Sequence, residues 1–372
     1  MARKKQLATK AISLALLFSI LAVLKHLYIV SLPIRTTTSL ESPHPMSTWP
    51  WKGAVKEVLY YGVTHWHVRS RFDGTVLDLF EFDFGANANL RLELYDQDED
   101  DDVPFDNRAN FWHRGIGYVV CHLNQTGRGK VIAVWNGLFF GYDRRAKVAW
   151  HIAPIVLGGK VHYQNVGNHR WTFGVKYEGG KPVFKVLHLP NCETLAKEFT
   201  FAAGGDQYLI EDGKPLKLQP FPKLLNEPTT QPVPSEHDEA GHIPIVDHIK
   251  TSRTSMGWSK DNRKFYLLIV KEPDREAISA LALKFRIPLM GGWSVADLQR
   301  FWLTIKVWCA VNIDGGDVTQ MAFLRKDGQY EVVPPRWLST KMRMKLTPCI
   351  HDKLKGGILM YFCVVDARNF EP

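Results

Sequence analysis

The chain has 372 residues, 45% hydrophobic and 23% charged, and a formal net charge of +9. This length and apolar content suffice for a globular body with a sizeable core and exclude a disordered or fibrous chain. Six of the basic residues (Arg3, Lys4, Lys5, Lys10, Lys25 and Arg35) stand in residues 1–35 without a single acid, so the basic balance gives little ground for nucleic-acid binding.

In chain order, the first segment reads as a targeting element. The basic flank precedes Ala11 to Leu24, which is almost wholly apolar and is interrupted by Lys25 and His26. Such a run suits a signal-peptide core, or, extended to Leu32, an uncleaved signal anchor with its N-terminus in the cytoplasm. We therefore assign residues 1–35 to a signal anchor or signal peptide and residues 36–54, rich in Thr, Ser, Pro and Trp, to a linker. Residues 55–372 form the body, expected to be exported to the envelope, periplasmic or lumenal side, membrane-anchored or secreted.

The body opens with strands. Alternation starts at Val58, and Val76 to Phe84 keeps a clean period of two. His65 and His67 share one strand face, a geometry that could ligate a metal, but no third ligand is evident. The acidic run Asp96 to Asp102 has Asp101 and Asn107 where an EF-hand requires Gly and Glu, so it reads as a solvated loop. Asn124-Gln125-Thr126 is a glycosylation sequon, relevant in a eukaryotic secretory route. Val131 to Phe140 is a strand running into Asn136-Gly137. Residues 148 to 210 read as further short strands broken by turns. Gln219 to Ile249, rich in Pro, His and acids, reads as a long inserted loop, either lid or disorder.

A helix is predicted from Ser294, where Ser294 and Asp297 form a capping box ahead of the stripe Leu298, Trp302, Ile305. It feeds an apolar run, Val307 to Ile313, that delivers Asp314 into Gly315, Gly316, Asp317 and Val318. Glycines there let the backbone turn sharply and approach a ligand, and sites are commonly built where strands become loops. An ordinary Asp-Gly turn would read the same way. Of the five cysteines, Cys309 and Cys363 lie in apolar runs and read as core. No CxxC pair is present, so a zinc ribbon is excluded.

Four blocks in register carry a resemblance. They are Ala133-Val134-Trp135-Asn136-Gly137-Leu138-Phe139-Phe140; Gly204-Gly205-Asp206 through Asp212-Gly213-Lys214; Arg253-Thr254-Ser255-Met256-Gly257 with the strand Lys264 to Val270; and Asn312-Ile313-Asp314-Gly315-Gly316 through Met321. Over about residues 58 to 335 the chain resembles the phosphodiester glycosidase domain family. It departs from the family pattern at Asp317 and Val318, where a third glycine and a serine are usual, and at Lys271 to Arg275, where Asp-Gly-Arg often follows the strand.

The resemblance implies a sugar-1-phosphodiester substrate. Breaking its anomeric C–O bond builds oxocarbenium character and charge on a departing phosphate monoester. A carboxylate can act as nucleophile, base or stabiliser, and an arginine offers a planar fork to phosphate oxygens. The candidate catalytic residues are Asp314, Asp317 and Arg253. Asn136, Gly137, Gly204, Gly205, Thr254, Gly315 and Gly316 are candidate substrate contacts. The motifs specify no cofactor and leave a divalent cation at the Asp-rich turn open. The expected fold is α+β: a single mixed domain of many short, mostly antiparallel strands with a few helices, after an N-terminal membrane segment. The expected function is an exported glycosidase acting on sugar-1-phosphodiester or related envelope or exopolysaccharide bonds. The alternative is a non-catalytic carbohydrate-binding or exopolysaccharide-assembly protein of the same fold. Expected partners are a carbohydrate or sugar phosphate and the membrane, with no nucleic acid.

Overall fold

Alternation and β-branched or aromatic content dictate most of the architecture. The computed structural model describes residues 49–70, 74–98, 115–126, 128–143, 146, 148–163, 171–188, 191–205, 207–218, 250–272, 291–335, 343–346 and 357–368. All belong to one compact unit. The first strands are β1 (Val55–Tyr60), β2 (Val63–Arg69), β3 (Val76–Asp83) and β4 (Leu90–Asp96), followed by helix α1 (Ile116–Gln125). Then come β5 (Lys130–Asn136), β6 (Phe140–Asp143), β7 (Val148–His151), β8 (Ile155–Leu157), β9 (Lys160–Tyr163), β10 (Trp171–Glu178) and β11 (Lys181–His188). Helix α2 (Cys192–Glu198) leads to β12 (Phe201–Gly205), β13 (Gln207–Glu211), β14 (Lys214–Pro215), β15 (Arg253–Trp258) and β16 (Lys264–Lys271). Helix α3 (Val295–Thr304) precedes β17 (Cys309–Asn312), β18 (Met321–Leu324), β19 (Tyr330–Val333), β20 (Met344–Leu346) and β21 (Met360–Asp366).

The strands form an eight-stranded sheet, β1-β2-β3-β16-β15-β17-β13-β14, and a six-stranded sheet, β20-β19-β18-β5-β21-β4. A five-stranded sheet, β11-β10-β12-β8-β9, and the β6-β7 hairpin complete the set. Neighbouring strands pair antiparallel throughout the two large sheets. The expectation of a mixed domain of largely antiparallel strands with a few helices is met. The expected membrane segment at residues 1–35 falls outside the described residues, among which no helix is long and apolar enough to cross a membrane.

The eight-stranded sheet is covered on both faces. One face packs Phe80, Phe82, Met256 and Phe265 against Trp135, Phe323 and Phe362 of the six-stranded sheet. The other lies beneath α3, where Leu268, Val270 and Ala310 meet Trp293, Phe301 and Trp302. Every residue of β15 and β17 is therefore buried, and these strands read as continuous rather than alternating runs. Gly257 lets the strand lie close under α3: a Cβ would stand 3.1 Å from the Trp302 ring, which would have to give way by a few tenths of an ångström. Trp302 Nε1 donates to Ser255 Oγ at 2.7 Å.

Helix α3 begins as its sequence predicts. Ser294 is the N-cap, its Oγ accepts from Asp297 N at 3.1 Å, and Asp297 Oδ2 accepts from Ser294 N at 2.9 Å. Burial works to raise the Asp297 pKa, but the Ser294 bonds and Arg300 more than offset it and bring it below the usual value.

Three expectations change. Residues 192–198 are helical rather than extended, because Asn191 caps α2 by accepting from Thr194 N at 2.8 Å. Helix α1 was not foreseen; its inward face carries Ile116, Val119, Val120 and Leu123. The start of the acidic run is not solvated: Asp96, Gln97 and Asp98 are buried, since Asp96 ends β4 paired with Met360 of β21, Gln97 N donates to Leu359 O at 2.9 Å, and Asp98 N donates to Asp96 Oδ1 at 3.0 Å. The remainder of that run, the 219–249 insertion and Cys349 lie outside the described residues. Cys309 and Cys363 are buried, as their apolar contexts predict.

Candidate functional site

Asn136 ends β5, and its amide gathers two distant segments, the start of β15 and the turn from Asp314 to Gln320. Its Nδ2 donates to Asp314 O at 2.7 Å, and its Oδ1 accepts from Thr254 Oγ1 at 2.7 Å and from Gln320 N at 3.2 Å. Asn136 N also donates to Gln320 O at 3.2 Å. Asn136 and Thr254 are completely buried. Three of the four motif blocks thus meet in one knot at the ends of β5 and β17. A buried amide with its donor and acceptor engaged by the protein orients its partners and has little capacity left for a sugar hydroxyl.

Strand alternation divides the next block. Thr254, Met256 and Trp258 face the six-stranded sheet, whereas Arg253, Ser255 and Gly257 face α3. Arg253 is therefore separated from the knot by the thickness of one sheet. Its Nε donates to Trp293 O at 3.1 Å. That carbonyl is fixed by a bridge in which Thr251 N donates to Trp293 O and Trp293 N donates to Thr251 O, at 3.2 and 3.0 Å. Gly292 makes the approach feasible, with φ of +76° and no room for a Cβ beside Thr251 O.

Asp314 continues β17 beyond its last paired residue. Ser255 pairs with Asn312, and Ile313 N donates to Thr254 O at 3.0 Å, so the next position along brings Asp314 beside Arg253. Asp314 is 7% exposed and Arg253 8%, both buried at the ends of interior strands, where β15 begins and just beyond the end of β17. Asp314 Oδ1 accepts from Gly315 N at 2.8 Å, a local bond that fixes the carboxylate against the turn. Gly316 N donates to Ser252 O at 2.7 Å, and a Cβ on Gly315 would stand 2.8 Å from that oxygen and 3.5 Å from Arg253 Cδ. Gly316 takes φ of +63° and opens a short 3₁₀ turn, Gly316–Val318, on which Asp317 is exposed.

The other predicted glycines pack rather than line these strand ends. Gly137 N donates to Met360 O at 3.1 Å, and a Cβ would meet Met360. Gly204 N donates to Pro154 O at 2.8 Å, and a Cβ would meet Ala153 and Pro154. Gly205 ends β12, paired with Trp171.

Two features near these strand ends escaped the sequence. Lys271 ends β16 with its ammonium buried, donating to Thr319 O at 3.0 Å and Pro334 O at 3.1 Å, and so ties that strand to the segment after the Asp-Gly-Gly turn. It sits where the family pattern diverges, which was the available signal. Asp96 Oδ2 and His151 Nε2 stand 2.6 Å apart, both side chains buried. Met360 pairs with Asp96 on one side and its carbonyl accepts from Gly137 N on the other. The carboxylate–imidazole pair therefore lies about two strand spacings, roughly 10 Å, from the Asn136 turn. No spacing pattern connects residues 96 and 151, so nothing in the sequence joined them.

A phosphodiester glycosidase family model matches residues 129–340. The chain belongs to the phosphodiester glycosidase family. Among solved structures it is similar to the zebrafish N-acetylglucosamine-1-phosphodiester alpha-N-acetylglucosaminidase catalytic domain auto-inhibited by its pro-peptide. That match has 14% identity, covers 83% of each chain and has a TM-score of 0.48. It is also similar to a hypothetical protein from Synechocystis, with 9% identity over 82% of this chain and 62% of that one, at a TM-score of 0.44. No curated protein matches.

Proposed function

We propose that this chain is an exported glycosidase that hydrolyses sugar-1-phosphodiester or related envelope or exopolysaccharide glycosidic bonds. The observation that carries the reading is the Asn136 knot. Residues 118 to 184 positions apart in sequence are held by one buried amide, and the turn so fixed presents Asp314 just beyond the end of β17 beside Arg253. An arrangement that spends buried polar groups on the placement of one turn is what preorganised catalysis demands.

In this reading Arg253 offers its fork to the phosphate, with the guanidinium aimed by the Trp293 carbonyl. The anomeric C–O bond breaks toward the phosphate, which leaves as a monoester. Asp314 stabilises the oxocarbenium-like carbon as a nucleophile or an electrostatic partner, and water completes the transfer to free sugar. The family supplies the reaction class; the sugar, the aglycone and export through residues 1–35 are part of the proposal.

The test is release of free sugar from a panel of sugar-1-phosphodiesters by the wild-type chain, by Asp314→Asn and by Arg253→Lys. Turnover in wild type, lost in Asp314→Asn and reduced in Arg253→Lys, supports the reading. Full activity in Asp314→Asn removes Asp314 from catalysis. Glycan binding without turnover, in a protein with a cooperative unfolding transition, transfers the site to a carbohydrate-binding or assembly role.

A further inference from the structure

We propose that His65, His67 and Asp78 form a binding site for a first-row divalent metal ion of the zinc class, inside the sandwich and independent of the Asp314 turn. His65 and His67 share one face of β2, and Asp78 lies directly across from His67 on β3. His65 Nε2 and His67 Nδ1 each stand 2.8 Å from Asp78 Oδ1, and the three donor atoms lie within 4.8 Å of one another. Four-coordinate zinc with bonds of about 2.0–2.1 Å separates its ligand atoms by about 3.3 Å, within that span. Two imidazoles and one carboxylate also leave a coordination position open, as in catalytic rather than closed structural sites.

The second observation is that the hydrogen bonds in the cluster do not balance. Arg343 Nη2 lies against Asp78 Oδ1 and 3.0 Å from His67 Nδ1. The guanidinium only donates, so His67 Nδ1 must accept from it and then faces Asp78 Oδ1 lone pair to lone pair. If His67 Nδ1 carries a proton instead, two N–H groups face each other. Three groups converge on Oδ1, while Asp78 Oδ2 is buried and makes no hydrogen bond. A buried carboxylate oxygen left without a partner is costly. An ion at the place of the guanidinium head resolves the conflict. It accepts lone pairs from both imidazoles and from Oδ1, and it brings positive charge within reach of Oδ2.

The Arg343 head is thus the cationic stand-in. It has somewhere else to go: its Nη1 is 3.3 Å from Glu331 Oε1, and its side chain is 22% exposed. The packing fixes the ligands, with the His65 ring stacked on Phe80 at 4.4 Å and tilted against Phe323 at 5.3 Å. Phe323 belongs to the six-stranded sheet and backs the His65 ring, while all three ligands come from the adjacent strands β2 and β3 of the eight-stranded sheet.

The experiment adds zinc, and separately cobalt(II), to the chelator-treated full chain. The expected result is one equivalent bound per chain, with the visible bands of low-coordinate cobalt, lost in His67→Gln and in His65→Gln. Arg343→Gln should lower the urea midpoint without metal, because Asp78 is left uncompensated. Zinc should restore that midpoint, and should bind Arg343→Gln about tenfold more tightly than wild type, the effect of removing one adjacent like charge. Absence of cobalt bands in both wild type and Arg343→Gln overturns the proposal. So does an Arg343→Gln midpoint that zinc leaves unmoved, or binding unaffected by both histidine substitutions.

Discussion

Truncating Asn136 to Ala separates a positioning role from a substrate contact. Three hydrogen bonds disappear, at 2.7, 2.7 and 3.2 Å, and they leave Asp314 O, Thr254 Oγ1 and Gln320 N without that partner. Each buried group left unsatisfied costs about 1–3 kcal/mol, so the expected loss over the three is roughly 3–9 kcal/mol. That is a large part of the roughly 5–15 kcal/mol that stabilises a typical domain. Thr254→Val removes only the hydroxyl's donation, and Asn136 Oδ1 keeps its bond from Gln320 N, so it should cost about 1 kcal/mol. The double variant should cost less than the sum of the singles, with a coupling of about 1 kcal/mol, because Thr254 then has no partner to lose. Urea unfolding of the four proteins, with unchanged slope, measures the cycle. An Asn136→Ala loss below about 1 kcal/mol, or strict additivity with Thr254→Val, would refute the knot. Loss of activity at wild-type stability would make Asn136 a ligand contact instead.

Gly315→Ala should cost about 1–3 kcal/mol, because its Cβ must push Ser252 O from 2.8 Å, and should lower turnover more than stability by shifting Asp314 against Arg253. Urea midpoints beside rates test this, and an unchanged midpoint sinks it. Asp366 gives a pH signature. Burial raises its pKa, but the bonds from Arg368 and Asn87 prevail and bring it down to about 2. A carboxylate with a depressed folded pKa stabilises fully above its unfolded value of about 3.9, and that stability is lost as pH falls toward about 2. Asp366→Asn should therefore lose less stability than wild type between about pH 4 and 2, and parallel curves across that window would contradict it.

The legible parts of the fold were those written locally. Ser294 and Asp297 are three residues apart, so the capping box and the α3 start were readable, as was the alternation of β3. The Asp314-Gly315-Gly316 turn was readable because an acid next to two glycines is turn chemistry wherever it occurs. The partners were not legible. Alternation says that His65 and His67 share a face, but the third donor, Asp78, comes from the next strand and is fixed by register. The acidic run misled because composition suggested solvent, whereas pairing of β4 with β21 decided burial at Asp96.

Adjacent residues of one motif can serve opposite sides of a sheet, and Arg253 and Thr254 do. Thr254 turns inward to the Asn136 amide, while Arg253 turns to the α3 face and the Trp293 carbonyl. A motif read as one functional unit therefore divides into framework and candidate chemistry. Asn136, Thr254, Gly137 and Gly204 spend their polar groups or their missing side chains inside the protein. Arg253 and Asp314 stand where β15 begins and β17 ends and are the residues to which the proposed function assigns the chemistry, while Asp317 stands further out on the 3₁₀ turn, exposed. The departure from the family pattern at Asp317 falls on the exposed side of the turn, whereas Val318 is half-buried against the core between the two large sheets, and neither residue is a partner of the Asn136 amide.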